Sequence, residues 1–117
     1  AGIYSATDVR RGVHKAPGGI EDGRLRNVLR LRRQTSFDES AVLNPNNVNV
    51  IREFRGIGRV VWGVRTLSSN PALRYVNVRR FLLMIEESIA ESTKWVVFEP
   101  NNEALWRKIE RIVRDFL

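Results

Sequence analysis

The sequence predicts an α/β fold: a small mixed β-sheet covered by helices. Three observations predict it. Runs rich in β-branched and aromatic residues occur at 48–54, 59–67 and 94–98. Apolar residues recur at three- and four-residue steps within 24–34, 77–92 and 103–116. Glycine, proline and asparagine clusters separate these segments. Hydrophobic residues make up 43% of the 117, enough for one domain with a modest core and too many for global disorder.

Taken in order, Ile3, Thr7 and Arg10-Arg11 fit a short helix stopped by Gly12, where a left-handed residue costs little. Pro17-Gly18-Gly19 then breaks the chain. Leu25, Val28, Leu29 and Arg32 keep helical spacing, so a helix is expected over 24–34. Residues 36–47 read as polar and punctuated, with a turn at Asn44-Pro45-Asn46-Asn47. Strands are expected over Val48–Phe54 and Arg59–Leu67, joined by a short loop holding Gly56 and Gly58. Ser68-Ser69-Asn70-Pro71 is a turn, and Asn77 is the expected N-cap of the next helix. In that helix Val78, Leu82, Ile85 and Ile89 form one apolar stripe. Phe81, Leu83 and Met84 widen it, so cover on two sides is expected.

Lys94 to Phe98 is almost wholly apolar, as a central strand covered on both faces would be. Strand 59–67, helix 77–92 and strand 94–98 are then expected to make a right-handed β-α-β unit. The last helix starts after Pro100, with asparagine as cap and Glu103 in its first turn. Leu105, Ile109, Ile112 and Phe116 form its expected buried stripe; Arg107, Lys108, Arg111 and Arg114 lie opposite, among Glu110 and Asp115. It stops at Asp115-Phe116-Leu117 without a cap, so residues 1–117 are expected to be one domain of a longer protein.

Charge is unevenly spread. The net value is +7. Residues 1–35 hold eight basic and three acidic side chains; residues 75–117 hold seven of each. The excess sits at Arg24, Arg26, Arg30, Arg32 and Arg33, a cluster that suits an anionic partner or a solvated face. Arg79 and Arg80 stand in the first turn of a helix, where positive charge opposes the dipole, and either reach an acidic neighbour or are solvated.

Catalytic chemistry finds no constellation. His14 is the only histidine and cysteine is absent, so thiolate metal sites and disulfides are excluded. Glu86-Glu87 are helix neighbours that face different ways. The Gly56-Ile57-Gly58 string lacks the third glycine and the following helix of a nucleotide loop, and no P-loop occurs. Trp62, Trp95 and Trp106 are expected to pack in the core rather than line a ligand box.

Several segments nevertheless resemble one family in order and spacing. They are Ala1–Pro17, LNPNNVNVIREF (Leu43–Phe54), VWGVRTLSSNPALRYVNVRR (Val61–Arg80) and KWVVFEPNNEALW (Lys94–Trp106). Together they look like the tail sheath proteins of contractile phages, tailocins and related injection systems; the match is weakest over 18–42. The resemblance implies a structural subunit and no enzyme activity, cofactor or small-molecule substrate. It implies polymerisation as a helical stack of rings around an inner tail tube protein. Baseplate and tail terminator proteins are the further implied partners, and contraction drives the tube through a target envelope. The implied location is the virion tail or an equivalent particle, with assembly in the host cytoplasm and no membrane. Neighbouring subunits are expected to add strands to the sheet. On this reading Arg107, Lys108, Arg111 and Arg114 are candidate tube-facing residues, and Arg24, Arg26, Arg30, Arg79 and Arg80 are candidate inter-subunit residues. The rival reading is a basic nucleic-acid-binding module using Arg24 to Arg33, which predicts salt-sensitive binding to DNA.

Overall fold

A computed structural model describes residues 1–117. The chain divides into two compact units, Ala1–Phe81 and Leu82–Leu117.

The first unit opens with helix α1 (Gly2–Arg11), as expected. Gly12 ends it at φ +91°, and the missing Cβ leaves room for the His14 imidazole, 3.0 Å from where that carbon would stand. A single helical turn, α2 (Gly19–Asp22), follows. Residues 24–34 form no helix. The Val61 N–H donates to the Gly23 carbonyl at 2.8 Å, and the Leu25 N–H donates to the Arg59 carbonyl at 2.8 Å. This segment is thereby held in a single antiparallel bridge, Arg24 to Val60, beside the hairpin. Leu25, Val28 and Leu31 are its half-buried anchors. Backbone bonding to an open strand edge thus outcompetes a helix supported only by leucine spacing.

Residues 36–43, expected to be irregular, include helix α3 (Phe37–Leu43). Ser36 and Glu39 make a reciprocal capping box: the Glu39 N–H donates to Ser36 Oγ at 3.1 Å, and the Ser36 N–H donates to Glu39 Oε2 at 2.9 Å.

Strands β1 (Val50–Phe54) and β2 (Gly58–Trp62) form an antiparallel hairpin in which Arg52 faces Val60 and Ile51 faces Val61. Val60 is completely buried. Phe54 and Trp62 pack with ring centroids 4.9 Å apart and planes tilted by 54°, so the expected packing role of Trp62 is met here. β2 stops at Trp62, short of the expected Leu67. Gly63 has φ +147°, and a Cβ there would stand 2.9 Å from Asn49 Oδ1, so chain and pairing both turn at this point. Beyond it, Val76 N–H donates to the Val64 carbonyl and Thr66 N–H to the Arg74 carbonyl. The Asn49 side chain bonds both the N–H and the C=O of Arg65. Asn70 caps the 3-10 turn Pro71–Leu73 by accepting from the Ala72 N–H at 3.0 Å.

Helix α4 spans Val76–Thr93. Asn77 lies inside it and is not its cap; its amide donates to the His14 carbonyl at 3.1 Å. The expected cover on two sides is not provided: Phe81, Leu82, Leu83 and Met84 are all exposed.

In the second unit, Lys94–Phe98 is a 3-10 helix, which corrects the expected central strand and removes the β-α-β unit. No strand is available there to pair with it. The indole N–H of Trp95 instead donates to the Ser92 carbonyl at 2.7 Å, and Phe98 is 93% exposed. Helix α5 (Glu103–Phe116) starts as predicted, with Asn102 Oδ1 accepting from the Leu105 N–H at 2.9 Å. Leu105, Ile109 and Ile112 are half-buried, whereas Phe116 and Trp106 are exposed, against expectation. The Trp106 indole N–H is held by Asn101 Oδ1 at 2.7 Å. The elements are thus mixed helices and a small sheet, that sheet being one hairpin with a bridged third segment.

The closeness of Gly23 to this sheet is a sharp constraint. A Cβ there would lie 2.6 Å from the Gly19 carbonyl oxygen and 2.8 Å from that of Val61. Gly23→Ala is therefore expected to cost about 1–3 kcal/mol of folding stability, read as a lower urea midpoint at unchanged slope. An unchanged midpoint contradicts this packing.

Candidate functional site

Four surfaces carry the residues singled out from the sequence, and none has the geometry of a reaction centre. His14 is exposed, and Glu86 and Glu87 lie on the exposed side of α4. No cluster of three or more histidine, aspartate or glutamate side chains converges as for a metal.

The first surface is the free edge of β1. Because Val61 N–H and Arg59 C=O point toward residues 23–25, Ile51–Val61 and Glu53–Arg59 are the non-hydrogen-bonded pairs of the hairpin. The N–H and C=O groups of Ile51 and Glu53 consequently point away from β2, and no other backbone segment bonds to them. Both residues are exposed. This is an open strand edge. Beside it Arg52 is buried, its guanidinium 3.7 Å from the centre of the Phe37 ring and 5.4 Å from that of Phe54.

The second surface is the basic segment. Arg24, Arg26, Arg30 and Arg32 are exposed and make no ion pair, while Arg33 pairs with Glu39. Glu39 is held below the usual carboxylate range, first by the Ser36 N–H and further by Arg33. The Arg59 guanidinium donates to the Val28 carbonyl at 2.6 Å and fixes the segment from below. Leu29, between the arginines, is 92% exposed.

The third surface is the exposed side of α5. Arg107 pairs with Glu103 and Arg114 with Glu110, each at 2.5 Å and four residues apart. Lys108 Nζ sits 3.9 Å from the centre of the Trp95 ring. Arg111 alone of the four candidates makes no contact of this kind and is exposed. The structure thus separates these four residues: two are balanced by their own helix, one is packed, and one is open.

The fourth surface resolves the Arg80 question. Its guanidinium grips Asp8 with both terminal nitrogens, at 2.9 and 2.5 Å, and lies 4.7 Å from the centre of the Tyr4 ring. Arg80 therefore ties α1 to the start of α4 within the chain. Arg79 is half-buried beside it. Asp8 lies 72 residues away in sequence, and no local spacing signalled it. Hydrogen bonding from Arg80 lowers the Asp8 pKa, and the same bond raises that of Arg80.

The chain as a whole is similar to known proteins. Residues 68–117 match the model of the phage tail sheath C-terminal domain family. The chain is 34% identical over 110 residues to the tail sheath protein of Salmonella phage ViI, covering 93% of this chain and 17% of that protein. It is 31% identical over 103 residues to the tail sheath protein of Enterobacteria phage T4, covering 87% and 16%. In three dimensions, 98% of the chain superposes on 32% of a chain in the contracted helical sheath of the anti-feeding prophage, at TM-score 0.89 and 36% identity. For the contracted sheath complex of the extracellular contractile injection system PVC the values are 99%, 32%, 0.89 and 32% identity. The chain thus spans about a sixth of the curated relatives it matches.

The clamp predicts an acid dependence. The Asp8 carboxyl titrates lower when folded than when unfolded, so its stabilisation is present above the ordinary aspartate pKa of about 4. It is lost as pH falls through the folded value. Asp8→Asn is expected to lower the melting temperature at pH 7, with the gap from wild type closing in acid. A gap that stays constant from pH 7 to pH 2 contradicts the assignment.

Proposed function

We propose that this chain, which belongs to the tail sheath family, is the part of a contractile sheath subunit that joins its neighbours around an inner tube. Its overlap with the contracted anti-feeding prophage sheath, over nearly its whole length and at 36% identity, carries this reading. The role is structural, and the work is done by surfaces. Copies associate as a helical stack of rings; an inner tube, a baseplate and a terminator are the other partners. The particle is a phage tail or an injection machine, assembled in the host cytoplasm.

The open edge of β1 supports a tether of backbone hydrogen bonds. An extended segment of a neighbouring subunit adds there as a strand, using the outward N–H and C=O groups of Ile51 and Glu53. Such a bond ladder holds the two copies together while allowing them to rotate. The exposed side of α5 is the tube-facing surface in this reading. Contacts that must release during contraction are best wet and charged, since exposed ion pairs contribute at most about 1 kcal/mol each. Arg111 carries most of that contact. Arg107 and Arg114 already have carboxylates within the helix, and Lys108 is held on Trp95.

Electron microscopy of the full-length protein tests the reading: sheath-like tubes or striated polysheaths are expected, and dispersed monomers that bind DNA would overturn it. Ile51→Pro separates the tether from the fold. It removes a donor that points away from β2, so the hairpin survives. Tube formation is expected to be lost with the circular dichroism spectrum unchanged; tubes at the wild-type yield would rule out strand addition at this edge. Arg111→Glu is expected to weaken assembly on the tube more than Arg107→Glu or Arg114→Glu. Equal, negligible effects would remove α5 from the tube surface.

A further inference from the structure

We propose that the basic segment 24–33 of one copy docks on the acidic face formed by the second half of α4 and the 3-10 turn of the next copy. This rests on the assembly reading above and names the two surfaces that meet. Residues 24–33 carry five arginines and no acidic residue, a net +5. Residues 82–99 carry Glu86, Glu87, Glu91 and Glu99 against Lys94 alone, a net −3.

The free groups match as well as the sums. Arg24, Arg26, Arg30 and Arg32 are exposed and make no ion pair within the chain. Glu87 and Glu99 are likewise exposed without one, and Glu91 reaches only the exposed Lys94. Leu83, Glu87 and Glu91 stand at four-residue steps, so an apolar side chain and two carboxylates share one line of the helix.

Each face also shows apolar surface that an ion atmosphere would not require. Leu29 projects between Arg26 and Arg30, and on the other face Leu83, Met84, Val97 and Phe98 are exposed. A polyanion offers nothing to Leu29. Segment 24–33 holds no aromatic side chain on which a base could stack. A protein face with carboxylates around an apolar patch suits it better than a nucleic acid does. Two different patches on one chain make a head-to-tail contact, and contacts of that kind generate open helical arrays.

The test uses the full-length protein and charge reversal. Arg26→Glu with Arg30→Glu reverses the two arginines that flank Leu29; Glu87→Arg with Glu91→Arg reverses the two carboxylates in line with Leu83. Each double variant is expected to keep its circular dichroism spectrum and to raise the concentration needed for tube formation by about tenfold or more. The quadruple variant restores the match and is expected to recover tube formation. An equal mixture of the two double variants is expected to form tubes that neither forms alone. Double variants that assemble like wild type overturn the contact, as does a quadruple variant that stays dispersed while wild type polymerises. Normal tubes from the Arg26→Glu, Arg30→Glu variant, with loss of salt-sensitive binding to duplex DNA, assign the segment to nucleic acid instead. Wild-type protein that forms no tubes overturns the assembly reading and this contact together.

Discussion

Many large apolar side chains of this chain stay exposed, and the rest of its design depends on that constraint. Among the hydrophobic side chains only Val50 and Val60 are buried. Leu82, Leu83, Met84, Val97, Phe98, Trp106, Phe116 and Leu117 are all exposed. Burial of a large apolar side chain contributes about 1.5–3 kcal/mol, so these positions hold a reserve of stabilisation that the chain by itself leaves unused. Local devices hold the chain in shape meanwhile. The Ser36–Glu39 capping box, the Asn102 cap and the Asn49 bridge to Arg65 each satisfy backbone groups that a larger core would have enclosed.

Elements with local signals were legible in the sequence. Gly12 ends α1 and Asn102 starts α5, because a left-handed stop and an N-cap act over one turn. The hairpin was legible from β-branched residues around Gly56 and Gly58. The capping box over Ser36–Glu39 was available too, but the polar residues around it pointed to an irregular stretch.

Elsewhere two states competed and the deciding partner was distant. Leu25, Val28, Leu29 and Arg32 fit a helix, yet the open edge of β2 takes the backbone of residues 23–25. Trp95-Val96-Val97-Phe98 is apolar without alternation, so its period cannot separate strand from helix. Lacking a pairing strand, it continues the helical path of α4. Of the candidate site residues, the charges on α5 were legible as a face, and the four-residue steps from Glu103 to Arg107 and from Glu110 to Arg114 offered their pairing. The seat of Lys108 on Trp95, thirteen residues away, carried no local signal. Asp8 was invisible as the partner of Arg80, being 72 residues away.

The two kinds of exposed group impose different mechanics. A strand edge bonds through the backbone, almost regardless of side chains, and a ladder of such bonds must be broken together. Surface ion pairs are weak singly and yield to water one at a time. A subunit that must stay linked while its neighbours slide needs the first at its tether and the second at its sliding faces. In the assembly proposed above, β1 is the tether through Ile51 and Glu53. Arg26, Arg30 and Arg111, exposed and outside any ion pair of the chain, are its proposed sliding contacts. The clamp between Arg80 and Asp8 belongs to neither class. It is shielded within the first unit and keeps α1 on the start of α4, so movement between copies does not have to deform that unit.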